Sequence, residues 1–335
     1  MSDHSEFVLH GFRLQSGVVL PKLVLAYRTY GELNGARDNV VVLPTFYTGS
    51  HIRNEGYFGP GRTVDPERHF IVSVNLIGNG YSSSPSNTPS PFAGSHFPVV
   101  TLYDNVRAQY ALVTSHLGAR SIALVTGWSM AGCQSFQWAA QFPELVRAIV
   151  PYCASARTSV HNRVFLEGVK AALEADCRFD EGNYLESPVE GLKAFGRVYA
   201  GWAYSQTFFR EGMYRKLGFE TAEELLLDWE SDHLNWDAND LLSKLDTWQR
   251  GDISDNELYH KDLGRALSSI TARTIIISCS DDLYFRPEDN ELEVAHIPHG
   301  RHDCYRSPWG HCVASGRNDP DFHDYLDSRI REVLD

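Results

Sequence analysis

The sequence predicts an α/β domain built on a mostly parallel sheet and split by a long helical insertion. Strand-like and helix-like segments alternate through the first 157 residues. From Thr158 to Leu267 the pattern is helical and poor in strands. A buried strand then returns at Ile275–Ser278. Alternation of this kind builds a parallel sheet covered on both faces. A strand that returns after the insertion argues against two domains in tandem. The expected division is a core of residues 1–157 and 268–335 with a helical cap of residues 158–267.

Taken in order, Leu23 to Leu33 reads as a strand with a turn. Val40 to Leu43 and Phe70 to Leu76 are short apolar runs of the kind that form buried strands. A Pro- and Ser-rich loop follows from Gly78 to Pro98. Thr101 to Leu117 has helical spacing, with Val106, Tyr110, Val113 and Leu117 on its apolar side. Ser121 to Thr126 is strand-like, Ser129 to Gln141 helix-like, and Val146 to Cys153 strand-like again. In the insertion, Val164–Ala175, Val189–Ala203, Ala222–Trp229 and Asp237–Trp248 carry amphipathic helical spacing. Asp303 to Ser307 is expected as a last strand and Asp321 to Leu334 as a closing helix.

Composition excludes several classes. The chain has 335 residues, enough for a large core without staples. Its formal net charge is −13, which argues against nucleic acid and anionic membranes as partners. No apolar run approaches the ~18 residues of a membrane span. MSDHSEFVLHGF has no basic start followed by an apolar core, so no signal peptide is read and a cytoplasmic location is expected. The six cysteines form no CxxC pair, and Cys133 reads as a small core residue. His296, His299 and His302 recur every third residue, but Pro298 and Gly300 prevent a helix that would gather them. No metal and no cofactor is expected. The acidic stretch Glu220–Asp232 reads as a solvated helix face.

Gly127-Trp128-Ser129-Met130-Ala131 lies between a strand and a helix, in the context of a nucleophile turn with Ala131 in place of the last glycine. Small flanking residues allow a sharp turn that lifts the serine hydroxyl above the sheet edge, and the following helix N-terminus supplies free N–H groups. The alternative is an ordinary serine N-cap. A serine nucleophile needs a base, and the base an orienting acid, in the chain order Ser, acid, His. Asp281 and Asp282 compete for the acid, and spacing alone leaves both open. His311, in a loop before the closing helix, is the candidate base. His302 is its rival, at the wrong end of the last strand.

The chain resembles the homoserine O-acetyltransferase-like family of the α/β-hydrolase fold, from about Leu25 to the C-terminus. The landmarks are Tyr27-Arg28-Thr29-Tyr30-Gly31, Phe97-Pro98-Val99-Val100-Thr101, Asp104-Asn105-Val106-Arg107-Ala108-Gln109 and Gly127-Trp128-Ser129-Met130-Ala131-Gly132. The resemblance implies Asp282 as the acid, because Asp282-Leu283-Tyr284-Phe285-Arg286-Pro287 fits the family's Asp-x-x-Phe-Pro-Pro frame. It implies His311 as the base. It also implies the backbone N–H groups of Tyr47 and Met130 as oxyanion donors.

The departures narrow the activity. Family members acting on homoserine carry Gly-His-Asp, whose Asp is thought to hold the substrate ammonium; this chain has Gly310-His311-Cys312. A family Arg and a Tyr seven residues later help bind the substrate carboxylate, and Arg197 and Tyr204 keep that spacing. Phe46, Tyr47, Trp128 and Trp309 are candidate pocket aromatics. Asn79–Asn87 and Ser307–His311 resemble an esterase-like branch. The expected function is hydrolysis of short-chain acyl esters, such as acetyl esters, through an acyl-serine intermediate, with a small-molecule ester as partner. An acetyl-CoA-dependent O-acetyltransferase is the alternative, and a non-catalytic binding module a third reading. Pairing of two copies through the helical cap is a further expectation.

Overall fold

The computed structural model describes residues 3–316 and 318–335. Eight strands form one sheet in the order β1-β2-β4-β3-β5-β6-β7-β8. β1 (Ser5–Arg13), β2 (Val19–Tyr30) and β4 (Phe70–Val74) pair antiparallel along one side. β3 (Val40–Pro44), β5 (Ile122–Trp128), β6 (Ala148–Tyr152), β7 (Arg273–Cys279) and β8 (Gly300–Tyr305) run parallel, with β3 beside β4. The central strands are apolar on both faces, as a doubly covered sheet requires. Val41 and Leu43 join one hydrophobic cluster, whereas Val40 and Val42 join the other. Among the described residues, no helix is long and apolar enough to cross a membrane.

Three strands differ from the sequence reading. β1 was not expected. It is a half-exposed edge strand, and its pairing with β2 rather than any strong alternation gives it its shape. The strand read at Leu23–Leu33 runs instead from Val19 to Tyr30 and stops before Gly31, whose φ of +75° breaks the ladder. The last strand is Gly300–Tyr305 rather than Asp303–Ser307, because it takes its register from β7, with Ile276 opposite His302.

α1 (Leu102–Tyr110) starts in a reciprocal cap: Thr101 accepts from the Asp104 N–H while the Asp104 carboxylate accepts from the Thr101 N–H. The expected longer helix loosens into a π turn at Ala111–His116. α2 (Met130–Gln141) lies against β5 and β6 and is buried along its whole length. Between β6 and β7 come α3 (Val160–Glu174), α4 (Val189–Ala203), α5 (Gln206–Arg210), α6 (Ala222–His233), α7 (Ala238–Gln249) and α8 (Leu263–Ser268). α4 packs on α3 and α6. α9 (Pro287–Val294) follows β7, and α10 (Pro320–Leu334) closes the fold against β6 and β7.

The chain leaves β6 for the helical insertion through a clamp on α9. Glu293, fully buried there, accepts from the N–H groups of Ala156 and Arg157 at 2.7 and 3.3 Å. Asn290 donates to the Ala154 carbonyl and to Glu293, both at 2.9 Å. No cation sits close enough to pair with this carboxylate among the described residues. Burial therefore raises its pKa from 4.5 to about 8, against the lowering effect of its hydrogen bonds. An acid raised on folding stabilises the fold below its unfolded pKa, and that contribution is lost as pH climbs through the folded value. Stability against thermal unfolding should therefore fall from pH 4.5 towards pH 8, by up to about 1.4 kcal/mol for each unit of pKa shift. Glu293→Gln should flatten this slope, and an unchanged slope in the variant would place its origin elsewhere.

Candidate active site

The candidate residues gather at the carboxyl ends of β3, β5, β7 and the chain after β8, where open parallel sheets bind ligands. Ser129 is the hinge between β5 and α2. Its backbone is held at φ 59°, ψ −129°, a region that non-glycine residues occupy only under constraint. The constraint is close packing. A Cβ on Gly132 would fall 2.5 Å from that of Ala154, and one on Gly127 would collide with Ala131. The Ser129 N–H is tied to the Tyr152 carbonyl at 3.0 Å. An ordinary serine N-cap would accept a hydrogen bond from the first helical turn. Ser129 makes no such bond, and the residue opens on a cavity instead.

Asp282 and His311 meet at 2.8 Å, from carboxylate Oδ2 to ring Nδ1. Both are buried. The other oxygen of Asp282 accepts from the N–H groups of Tyr284 and Phe285 at 2.7 and 3.2 Å, so the tight turn after β7 aims the carboxylate. Asp281 takes a different partner, the Ser280 hydroxyl at 2.8 Å, and is half-buried. With Nδ1–H donated to Asp282, the lone pair of His311 is on Nε2. The imidazole is packed between Trp128, at 5.2 Å and nearly parallel, and the edge of Tyr284 at 4.5 Å. Trp128 also donates its indole N–H to the His311 carbonyl at 3.1 Å. His302 is part of β8, where it bonds the Ser278 hydroxyl at 2.7 Å.

The loop after β3 lies across from the turn. Neither the Tyr47 N–H nor the Met130 N–H has an acceptor among the described residues. For Met130 this follows from its place at the start of α2. The two loops are braced by Gln134, whose amide donates to the Thr45 and Met130 carbonyls, both at 3.1 Å. The sequence offered no signal for this brace, because a lone Gln on a buried helix has no pattern.

Phe46, Tyr47, Trp128, Ser129, Tyr204 and His311 line a cavity of about 190 Å³, with Cys312 beside them. Burial, helped by Asp282, pushes the Cys312 thiol up to about 12, so it stays neutral. Two expectations need correction. Trp309 is not in the wall; it packs on Phe208 at 5.4 Å. Arg197 is not there either. It bonds Glu223 at 2.6 Å and also Glu230, both on α6. The seven-residue spacing puts two side chains on one helix face only if both are helical. Here α4 ends at Ala203 and Tyr204 is extended, so Tyr204 turns into the cavity while Arg197 stays with α6. The acidic stretch read as solvated has Asp228 and Asp232 exposed, and both also line the cavity, as does Arg53.

Two groups of residues come close enough to suggest a metal. Asp3, His4 and His51 form one of them. Asn75 donates to His51 Nδ1 at 3.0 Å, and its own orientation is fixed by a second bond to the Ala26 carbonyl at 3.0 Å. The ring proton is thus on Nε2, the atom nearest Asp3, and no lone pair faces an ion there. Cys153, Asp282 and His311 form the other group. There the His311 Nδ1 is already donated to Asp282, and burial drives the Cys153 thiol well above its ordinary pKa.

Comparison with known proteins agrees with this fold. The model of the alpha/beta hydrolase fold matches residues 38–177. The chain is 35% identical to an ethyl acetate hydrolase from Pseudomonas veronii, over 96% of this chain and 92% of that one. It is 30% identical to a homoserine O-acetyltransferase from Trichormus variabilis, over 90% and 86% of the two chains. The solved structure of the acetyl esterase MekB superposes with a TM-score of 0.96 at 34% identity, covering 99% of this chain and 97% of that one. Sheet, turn and matches define an α/β-hydrolase. Within that fold the chain belongs to the homoserine O-acetyltransferase-like family, closer to its esterase-like branch than to the biosynthetic transferases.

The two neighbouring aspartates provide a direct test. Asp282→Asn should lower kcat by about 10³–10⁴-fold, as loss of an orienting carboxylate does elsewhere, whereas Asp281→Asn should change it by less than about threefold. Equal losses in steady-state assays of the two variants would show that the acid is misassigned.

Proposed function

We propose that the protein is a serine-dependent carboxylic ester hydrolase acting on short-chain acyl esters, acetyl esters above all. The observation that carries this reading is His311, bound to the buried Asp282 at 2.8 Å and lining one small cavity together with Ser129. An apolar cavity of about 150 Å³ holds a benzene-sized molecule. The volume of about 190 Å³ therefore suits a small acyl ester rather than a long chain. The ester-hydrolysing relatives support the same class.

In this mechanism Ser129 Oγ attacks the ester carbonyl as His311 Nε2 takes its proton. Asp282 holds the imidazole in the correct tautomer and stabilises its cation. The N–H groups of Tyr47 and Met130 receive the oxyanion, each contributing about 3–4 kcal/mol. His311 then returns the proton to the leaving alkoxide, which departs as the alcohol and leaves acyl-Ser129. A water molecule, deprotonated by His311, attacks the acyl carbon, and collapse of the second adduct releases the acid and restores Ser129. No cofactor enters. Helices within residues 158–267 act as a cap over the core of residues 1–157 and 268–335. The reading includes a cytoplasmic location and pairing through that cap, where Val160 and Val164 are exposed.

A second reading, acyl transfer from acetyl-CoA to homoserine, draws on the transferase relatives and on Tyr204 in the cavity wall. It lacks the expected charge contacts, since Arg197 is paired with two glutamates and Cys312 stands where the ammonium's partner would be. Purified protein and Ser129→Ala should be given a short-chain aryl acetate, and separately acetyl-CoA with homoserine. The wild type should hydrolyse the aryl ester and release no CoA. Ser129→Ala should lose on the order of 10⁴-fold or more in kcat. Ser129-dependent formation of O-acetylhomoserine would overturn the hydrolase reading, and no turnover in either assay would favour a binding module.

A further inference from the structure

Lys244, on α7, is completely buried, and its ammonium has no hydrogen-bond partner among the described residues. Such a position is costly unless something else holds the charge. Here ring faces do so. Nζ stands 3.9 Å from the centre of the Trp236 ring and 5.2 Å from that of Tyr47, within the range of cation–π attraction. Asp240, one turn earlier, is engaged elsewhere: the N–H and hydroxyl of Ser86 donate to it at 3.0 and 2.7 Å.

The same helix grips Tyr47 a second time, because the Tyr47 hydroxyl donates to the Leu241 carbonyl at 2.8 Å. The Tyr47 ring also stacks on Tyr199 and Phe195 of α4, with centroids at 5.7 and 6.4 Å. Tyr47 thus has its side chain anchored among the inserted helices. Its main chain belongs to the core loop, with its N–H left free at the cavity.

We infer that Lys244 is a positioning residue that holds the Tyr47 ring from α7 and so aims the Tyr47 N–H at the oxyanion. This rests on the ester-hydrolase reading above. It goes further in making the oxyanion donor depend on a charge in the helical insertion that never touches substrate. The donor matters most in the transition state, so its misplacement lowers kcat rather than raising KM. The charge also separates function from stability. Replacing a buried ion that makes no hydrogen bond with an apolar side chain of similar shape removes its desolvation cost, against which stands only the attraction of Asp240 and Asp237. A Lys244 kept for stability would give the opposite result.

The groups facing the ammonium are Asp237 and Asp240 on its own helix, His233 on α6 and the Tyr47 ring. Burial pulls Lys244 down to about 7, with the two carboxylates opposing. Burial likewise lowers His233, which donates Nδ1–H to the Trp229 carbonyl and stays neutral. The benefit of the charge should therefore fade as the pH rises through about 7.

The test compares wild type, Ser129→Ala, Lys244→Met and Lys244→Gln on a short-chain aryl acetate. Unfolding temperature and inhibition by a trifluoromethyl ketone, a mimic of the tetrahedral adduct, are measured on the same proteins. Both Lys244 variants should fold, with Lys244→Met at least as stable as wild type. Their kcat should fall about tenfold with KM within about twofold, and the ketone should bind weaker by a similar factor. The kcat ratio of wild type to Lys244→Met should shrink as pH rises from about 6 to about 9. An unchanged kcat, a ratio independent of pH, or loss of folding in both variants would overturn the inference while leaving the hydrolase reading intact. Absence of Ser129-dependent turnover in wild type would overturn both.

Discussion

The site depends on the close approach of α2 to β5 and β6 around Ser129. A serine with φ of 59° is strained unless its surroundings leave no alternative. Here Gly127, Ala131, Gly132 and Ala154 pack so tightly that any larger side chain at the two glycines would drive the elements apart. The whole of α2 is buried, so the helix has no freedom to relax the turn. The same turn starts α2 at Met130, whose N–H has no acceptor among the described residues. The strained Ser129 and the unpartnered Met130 N–H are in this sense one feature, produced by small residues at four positions.

The Tyr47 loop is more remote in sequence, and two different parts of the molecule hold it. From the core side, Trp138 donates to Gln109 at 2.8 Å, Gln109 to Gln134 at 2.7 Å, and Gln134 to the Thr45 carbonyl at 3.1 Å. Gln134 also bonds the Met130 carbonyl, so one amide ties both donor loops together. A buried polar chain of this kind is rigid only when each member is satisfied, and here the linking atoms are paired. From the other side, α4 and α7 clasp the Tyr47 side chain.

Legibility in the sequence followed the range of the interactions. The parallel strands and α2 were readable because their apolar runs and spacing are local properties. Ser129 was readable because strand, turn and helix are consecutive. Asp282 was not separable from Asp281 by any local rule; family resemblance favoured it. The physical distinction is that the N–H groups of Tyr284 and Phe285 draw one carboxylate inward. β1 escaped notice because its pairing partner, not its own pattern, makes it a strand. α9 escaped because an acidic helix with little amphipathic character is defined by what Asn290 and Glu293 bind across the fold. Arg197 misled because the family spacing to Tyr204 is kept while its guanidinium is bound by Glu223 and Glu230 of α6, which no local pattern shows.

Charge placement then separates the two chemistries the family supports. An amino-acid alcohol needs an anion for its ammonium and a cation for its carboxylate, both desolvated near the nucleophile. The wall has a neutral thiol at Cys312, and the nearest family cation, Arg197, is held by two glutamates outside it. The charges that do reach the cavity are Arg53, Asp228 and Asp232. Asp228 lies close enough to Asp232, and is buried enough, that its own pKa is raised. Two carboxylates at the rim repel a polyanionic acyl donor such as a CoA thioester, in the same sense as the overall charge of −13. A neutral ester meets no such barrier and finds an aromatic interior in Phe46, Trp128 and Tyr204. Transfer to water needs no charged anchor, whereas an amino-acid acceptor needs two, and the family positions for them hold the neutral Cys312 and an Arg197 that is paired on α6.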